Sequence, residues 1–210
     1  KKIICNKAEG KLKNLIKNVS NSHIPGTVGI GHTRWATHGK PKVKNAHPHI
    51  DSSGKVAVVQ NGIIENYQEL KSTLESEGIV FNSDTDTEVI PHLIQKELNT
   101  LSKLNLENNG STLLVAVRNV ISDLEGSYAI AVLWTGAPDS LVVARRQAPL
   151  IIGLGEGEFI CASDTPAIAN FTKIILPMED EEIALLTPLG IEIYDSNNER
   201  QYRNPISLQI

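Results

Sequence analysis

The chain has 210 residues, of which 40% are apolar, and a mildly acidic formal net charge of −4 at pH 7. Its basic residues form no stripe, which argues against a nucleic-acid partner, and no apolar run approaches the roughly 20 residues that a membrane-spanning helix needs. Its two cysteines provide no disulfide framework and its start lacks the apolar stretch of a signal peptide, so we expect a cytoplasmic protein without membrane association.

Apolar residues at helical spacing predict four main helices. The third of these follows a polar run in which Glu88 stands three residues after Thr85, the spacing of a capping box. An Asp or Thr of that run is therefore expected to cap the helix. The predicted helices cover 7–19, 65–76, 88–98 and 113–124, with a brief further helix at 166–169.

Runs of β-branched and apolar residues predict a series of strands. The run 55–60 is apolar at successive positions, as expected of a strand that is covered on both faces. It ends at Asn61-Gly62, a pair that is typical of a turn. The predicted strands are the tail of one at 3–5, then 27–33, 55–60, 128–135, 140–145, 150–154, 158–162, 182–186 and 190–194.

Helices and strands occur in blocks rather than in strict alternation, which argues against a doubly wound parallel sheet. The pattern indicates an α+β fold. Two mainly antiparallel sheets packed face to face, with helices outside, are consistent with it. No repeat and no Pro/Ser-rich linker divides the sequence, so we expect a single domain over 1–210.

The run GIGHTRWATHGKP, from Gly29 to Pro41, is the most informative segment. Its mixture of side chains suits a small zwitterion: Arg34 offers a planar fork of donors for a carboxylate. Thr37 and the following glycine-rich turn add donors, and Trp35 can close over a ligand as an apolar lid. The alternative is a surface turn with solvated side chains, because short motifs also occur by chance.

Five stretches of the sequence closely resemble class II glutamine amidotransferases and, more narrowly, the glutaminase domains of glutamine–fructose-6-phosphate aminotransferases. They occur in the order found in that family, and the spellings HTRWATHG and TDTEV are specific to it. The resemblance extends from about Gly10 to the C-terminus. The five stretches are 29–41, 45–49, 60–70, 83–94 and 141–168.

This resemblance implies the four-layer αββα sandwich of the N-terminal nucleophile hydrolases and no metal or organic cofactor. In that family a first-residue cysteine attacks the glutamine amide and its own α-amino group is the base. Here residue 1 is Lys1, so we expect a domain that lacks the family's N-terminal segment, with an incomplete fold and no activity by itself. Cys5 and Cys161 are expected to be inert small apolar residues.

Asn61 and Gly62 match the residues with which the family stabilises the oxyanion of amide hydrolysis. That intermediate needs two aimed hydrogen-bond donors. The resemblance implies that the Asn61 side-chain amide and the Gly62 backbone N–H supply them. Without the resemblance, an Asn-Gly pair after a strand is more often a plain turn.

The resemblance also implies how the two charged ends of glutamine are bound. Arg34 pairs with the α-carboxylate, with support from Thr37 and His38, and Asp86 accepts from the α-ammonium. Asp84 is a competitor for the ammonium, since it lies two residues away. Asp86 can also serve as a helix N-cap, and the two roles can coexist.

Two further patterns are weaker. His32, His47 and His49 suggest a metal site, but no cysteine or dense carboxylate cluster accompanies them at ligand spacing, so structural roles are favoured. The glycines of the run 153–157 imitate a dinucleotide fingerprint. They lead into a strand instead of a helix, which argues against a nucleotide site.

The resemblance implies a larger enzyme in which this domain binds L-glutamine and passes ammonia to sugar isomerase domains. The product is glucosamine 6-phosphate, and the complete chain is expected to be a homo-oligomer. Residues 204–210 would begin the linker to those domains. The alternatives are another class II amidotransferase, which the HTRWATHG spelling disfavours, and a non-catalytic glutamine-sensing module that retains Arg34 and Asp86.

Overall fold

The computed structural model describes residues 1–34 and 40–209. All four main helices lie where apolar periodicity predicts them, but α1 begins five residues later than predicted and α3 ends five residues later. Within the described ranges, none of the helices is long and apolar enough to cross a membrane. The helices are α1 (Leu12–Ser20), α2 (Tyr67–Ser76), α3 (Val89–Lys103) and α4 (Gly110–Ile121).

The strands form two sheets in which all neighbouring strands are antiparallel. The strands are β1 (His49–Ile50), β2 (Val56–Ile64), β3 (Gly126–Trp134), β4 (Leu141–Arg146), β5 (Ile151–Leu154), β6 (Phe159–Ala162), β7 (Ile174–Pro177), β8 (Ile183–Thr187), β9 (Gly190–Tyr194), β10 (Arg200–Gln201) and β11 (Ile206–Ser207). The seven-stranded sheet has the order β1-β2-β3-β4-β8-β9-β10, and the four-stranded sheet has the order β11-β7-β5-β6.

The large sheet buries both faces of its central strands because apolar residues occupy successive positions along β2, β3, β4 and β8. Successive side chains of a strand point to opposite faces, so Val142 belongs to the core that α3 and α4 cover, whereas Val143 belongs to a second core. Ile152 of the small sheet lies in this second core, which therefore fills the space between the two sheets. The predicted α+β fold of two packed antiparallel sheets is confirmed.

One layer of the expected αββα sandwich is not formed by the described residues. Helix α3 packs on β2, α4 packs on β4 and β8, and α2 packs on α3. Helix α1, in contrast, buries none of its residues. The described part of the chain therefore shows three layers: helices, large sheet and small sheet.

Several predictions of local structure are wrong. The described residues 27–33 form no strand, and residues 3–5 lie in no element. Residues 166–169 form a hydrogen-bonded turn in which Ile168 N–H donates to Thr165 O, rather than a helix. Strands β1, β7, β10 and β11 were not predicted, because runs of two to four residues carry too little periodicity to distinguish them from loops.

The predicted turn at Asn61-Gly62 is also absent, because β2 continues through both residues to Ile64. Gly62 has a φ of +115°, and a Cβ there would lie 2.1 Å from Ser127 O of the partner strand. Gly126, at the other end of this pairing, has a φ of +104° and would place a Cβ 2.2 Å from Ile63 O. Two glycines therefore allow β2 and β3 to stay paired where a side chain would separate them.

The β2–β3 pairing predicts that Gly126→Ala is more destabilising than an alanine at an uncrowded glycine. Gly157→Ala is the matched control, because Gly157 also has a positive φ of +71° but nothing lies near its added Cβ. The control should cost about 1–2 kcal/mol from φ alone, and Gly126→Ala a further 1–3 kcal/mol, roughly, from the clash. Urea unfolding of both variants measures this, and equal losses would contradict the crowding argument.

Candidate active site

One cavity of about 360 Å³ brings together the described residues that were predicted to bind or activate the substrate. Arg34, Asn61, Gly62 and Asp86 all line it, although they come from three separate segments. Trp35, Thr37 and His38 lie outside the described residues. The other lining residues are His32, Thr33, His47, Gln60, Thr85, Thr87, Ser163 and Asp164.

Asp86 is buried, and a hydrogen bond to strand β2 fixes its carboxylate. Its side chain is only 4% exposed, and its Oδ2 accepts a hydrogen bond of 2.8 Å from the backbone N–H of Ile64 in β2. The N-cap of α3 is Glu88, which makes no side-chain capping bond. Asp86 therefore faces the cavity as a fixed carboxylate and is not the cap that the local sequence suggests.

Asp84, the alternative partner for an ammonium group, points elsewhere. Its side chain is 55% exposed and forms a 2.8 Å ion pair with Lys44 Nζ. It also accepts a hydrogen bond of 3.3 Å from Asn45 Nδ2 and is not among the residues that line the cavity. The two aspartates of the TDTEV region thus differ clearly in environment, which favours Asp86 as the ligand-binding carboxylate.

A buried hydrogen-bond network fixes the segment that carries Asp86. The Glu88 carboxylate accepts from the backbone N–H groups of Asn82 and Ser83, at 2.8 and 2.7 Å, and lies 3.3 Å from His92 Nε2. Burial raises the pKa of Glu88, but the hydrogen bonds from His92 and Ser83 outweigh it and lower that pKa to about 2. The carboxylate is therefore ionised at neutral pH and anchors residues 82–88 to α3.

The threonines on either side of Asp86 make two further attachments. Thr85 Oγ1 lies 2.9 Å from His49 Nε2, and Thr87 Oγ1 donates to Gln60 Oε1. His49 belongs to β1 and Gln60 to β2, so both threonines connect the segment to the large sheet. With the Ile64 hydrogen bond, three consecutive residues are tied to the sheet that forms the cavity wall.

Three histidines pack together, and two of them, His32 and His47, line the cavity. The rings of His32 and His47 are stacked, with centroids 4.0 Å apart and planes 12° from parallel, and the rings of His47 and His49 meet edge to face at 4.9 Å. Burial lowers the pKa of His47 to about 2 and that of His49 to about 4. Within the described parts of the chain, no group of three or more His, Cys, Asp or Glu residues is arranged to hold a metal ion.

Neither cysteine lines the cavity. Cys5 is exposed, and Cys161 lies in β6, where burial raises the pKa of its thiol to about 12. A thiol with such a pKa is not a thiolate at neutral pH, and the thiolate is the nucleophilic form. This environment agrees with the prediction that Cys161 is inert.

Sequence reasoning missed several polar residues of the cavity wall, among them Gln60. Gln60 is 3% exposed and its Oε1 is held by Thr87, yet its Nε2 has no partner in the described structure. The sequence could have indicated this residue, since Gln60 is a polar residue at the end of an apolar run. Ser163 and Asp164, which follow β6, were also missed, because only the packing of the small sheet brings them to the cavity.

Comparison with known proteins assigns the family. The glutamine amidotransferase domain family matches residues 32–170, a range that contains the whole cavity lining. The chain belongs to this family. The amidotransferase domain is 54% identical over 206 residues to glutamine–fructose-6-phosphate aminotransferase (isomerizing) of Thermosynechococcus vestitus, covering 98% of the chain and 32% of that protein. It is 46% identical to the protein of the same name from Aquifex aeolicus, covering 100% of the chain and 33% of that protein.

Solved structures agree with the fold. A glutamine phosphoribosylpyrophosphate amidotransferase from B. subtilis, complexed with ADP and GMP, matches with a TM-score of 0.62 and 27% identity, over 79% of this chain and 34% of that one. A structure described as the allosteric regulatory enzyme of purine biosynthesis matches with a TM-score of 0.64 and 27% identity, with the same coverage. The amidotransferase domain described here spans about a third of the length of the curated relatives it matches.

The buried His49 predicts that the domain loses stability on acidification. Its pKa is about 4 in the folded protein, against about 6.5 when unfolded. Between these values the unfolded chain binds the proton and the folded chain does not, so the free energy of unfolding falls as the pH drops from about 7 to 4. His49 alone should account for about 3 kcal/mol of that fall.

Unfolding by urea at several pH values measures this effect. His49→Gln keeps an amide near the position of Nε2 but cannot titrate, so its pH dependence should be shallower. His23→Gln is the control, because His23 is exposed. A His49→Gln protein whose stability falls as steeply as that of the parent would contradict the prediction.

Proposed function

We propose that the amidotransferase domain binds L-glutamine in the described cavity and releases ammonia from its side-chain amide. The observation that carries this proposal is the convergence of Arg34, Asn61, Gly62 and Asp86 on one cavity. These residues provide a cation, two neutral donors and a buried anion. An amino acid with a neutral amide at the end of its side chain has the complementary groups.

The charges of the cavity orient the substrate. Asp86 accepts from the α-ammonium group, since it is the buried carboxylate of the lining that a strand N–H already holds in place. Arg34 pairs with the α-carboxylate through its planar fork of donors. Thr37 and His38 add donors at the same end, and Trp35 covers the bound ligand, as the family resemblance implies.

The amide carbonyl is then directed at Asn61 and Gly62, whose Nδ2 and backbone N–H stabilise the oxyanion. In the reaction a thiolate sulfur bonds to the amide carbon, the C–N bond breaks, and the nitrogen takes up a proton and leaves as ammonia. Water then cleaves the thioester to release glutamate. The family resemblance assigns the nucleophile to an N-terminal cysteine rather than to Cys5 or Cys161, and the 210-residue chain alone is proposed to be inactive.

The domain is proposed to work as part of a larger cytoplasmic enzyme. Its curated relatives are aminotransferases about three times as long, named for the transfer of glutamine nitrogen to fructose 6-phosphate. By analogy, sugar isomerase domains after residues 204–210 receive the ammonia and form glucosamine 6-phosphate. The complete chain is proposed to be a homo-oligomer without a metal or organic cofactor in this domain.

Replacing the buried aspartate tests the substrate orientation. In the native polypeptide that contains these residues, Asp86→Asn removes the charge that faces the ammonium and should lower kcat/KM for glutamine hydrolysis by about 100-fold, roughly the effect of deleting one partner of a buried charge pair. Asp84→Asn is the matched control and should change it by less than about twofold, because exposed ion pairs contribute little. A larger effect of Asp84→Asn would assign the ammonium to Asp84 instead.

The N-terminal sequence and intact mass of the native polypeptide test the enzymatic assignment. A chain about three times as long that starts with cysteine and releases ammonia from glutamine supports the proposal. A native chain of about 210 residues that starts at Lys1, binds glutamine in a calorimeter and releases no ammonia favours the glutamine-sensing module. A chain that neither binds nor hydrolyses glutamine would refute both.

A further inference from the structure

The contact between His32 and Asn61 suggests a function for one of the three histidines. His32 Nε2 lies 2.7 Å from Asn61 Oδ1, and the two residues are 29 positions apart in the chain. A carboxamide oxygen only accepts hydrogen bonds, so the proton of this bond belongs to His32 Nε2. His32 Nδ1 has no partner in the described residues, which agrees with an unprotonated nitrogen at that position.

The protonation state of His32 favours the same arrangement. Burial lowers the pKa of His32, and the positive charge of Arg34 lowers it further, against the raising effects of Asn61 and of the Gln60 backbone. The ring is therefore neutral at pH 7 and carries a single N–H. That N–H is the group that contacts Asn61.

This hydrogen bond decides which end of the Asn61 amide is available to the cavity. Asn61 is exposed at the cavity surface, and a carboxamide can rotate by half a turn at little steric cost because its two ends have nearly the same shape. With Oδ1 held by His32, Nδ2 is the end left for a ligand. In the reversed orientation an oxygen would face the developing oxyanion and repel it.

The position of His32 is itself fixed through His47, which is hydrogen-bonded to strand β2. Its ring stacks on His47, and His47 Nδ1 accepts a hydrogen bond of 3.2 Å from the backbone N–H of Gln60. Gln60 directly precedes Asn61 in β2. The histidine pair is thus attached to two consecutive residues of one strand, which fixes the donor relative to the amide that it orients.

We propose that His32 is a positioning residue for the oxyanion step, in which its Nε2–H holds Asn61 Oδ1 so that Asn61 Nδ2 donates to the reacting carbonyl. The inference rests on the proposed function. His32 acts through Asn61 and makes no contact with substrate in this role. Its effect is therefore expected on the chemical step rather than on the binding of glutamine.

Steady-state kinetics of glutamine hydrolysis by the native polypeptide test this proposal. His32→Leu removes the donor and should lower kcat by about 10- to 100-fold, somewhat less than the loss of a whole oxyanion donor, while KM changes by less than about twofold. His32→Gln can place an amide N–H near the position of Nε2 and should recover most of the lost kcat. Equal losses in both variants, or a loss in KM alone, would overturn the proposal.

A double-mutant cycle separates this inference from the proposed function. Asn61→Ala should itself reduce kcat, and adding His32→Leu to Asn61→Ala should cost little more, because the residue through which His32 acts is gone. Additive losses would overturn the role of His32 and leave the oxyanion assignment intact. An unchanged kcat in Asn61→Ala would overturn the oxyanion assignment and, with it, the role of His32.

A spectroscopic measurement on the native polypeptide reports the tautomer of His32 directly. In the ¹⁵N NMR spectrum of the native polypeptide, the ring nitrogens of His32 should show the neutral Nε2–H tautomer between pH 6.5 and 8. His32→Gln identifies the signal. A neutral Nδ1–H tautomer, or a charged ring in this pH range, would overturn the proposal.

Discussion

The pairing of β2 with β3 is the constraint on which the site depends. Nine consecutive residues of each strand are in register, from Val56 opposite Trp134 to Ile64 opposite Gly126. Alternate residues of these strands anchor the helical core, while Asn61 and Gly62 reach the cavity from the same strand. Since the side-chain period of a strand is two residues, a slip of one position would turn Val56, Val58 and Ile64 away from the helical core and displace Asn61 and Gly62 along the strand. Burial of the core therefore fixes the site.

The composition of β2 explains why a polar site can lie on a strand with a fully apolar start. Val56 and Val58 are completely buried, so the first half of the strand is stabilised by packing. The second half carries polar side chains that are paired with residues outside the strand. Thr87 donates a hydrogen bond to Gln60, and His32 contacts Asn61. At the end of the strand, the backbone N–H of Ile64 donates a hydrogen bond to the Asp86 carboxylate. Packing of the apolar half therefore holds in place the strand on which the polar residues lie.

The sequence pattern predicted an α+β fold, and the resemblance to glutamine amidotransferases implied that Arg34, Asn61, Gly62 and Asp86 form one site. The structure brings these four residues to one cavity. It failed at Asn61-Gly62, because the pair reads locally as a turn, whereas Gly126 on a distant strand makes room for continued pairing. It also gave the histidines no specific partner. The bond from His32 to Asn61 joins residues 29 positions apart, and such a contact depends on tertiary packing that local patterns do not encode.

The hydrogen bond from Ile64 N–H to Asp86 has a consequence for ligand length. Asp86 is attached to the same strand that carries Asn61 and Gly62, three and two residues before Ile64. The separation between the Asp86 carboxylate and the Asn61-Gly62 pair is therefore set by main-chain geometry and is as rigid as the sheet. Under the proposed function, the glutamine side chain has to match this fixed separation, so an analogue shortened by one methylene group is expected to engage only one end of the site at a time.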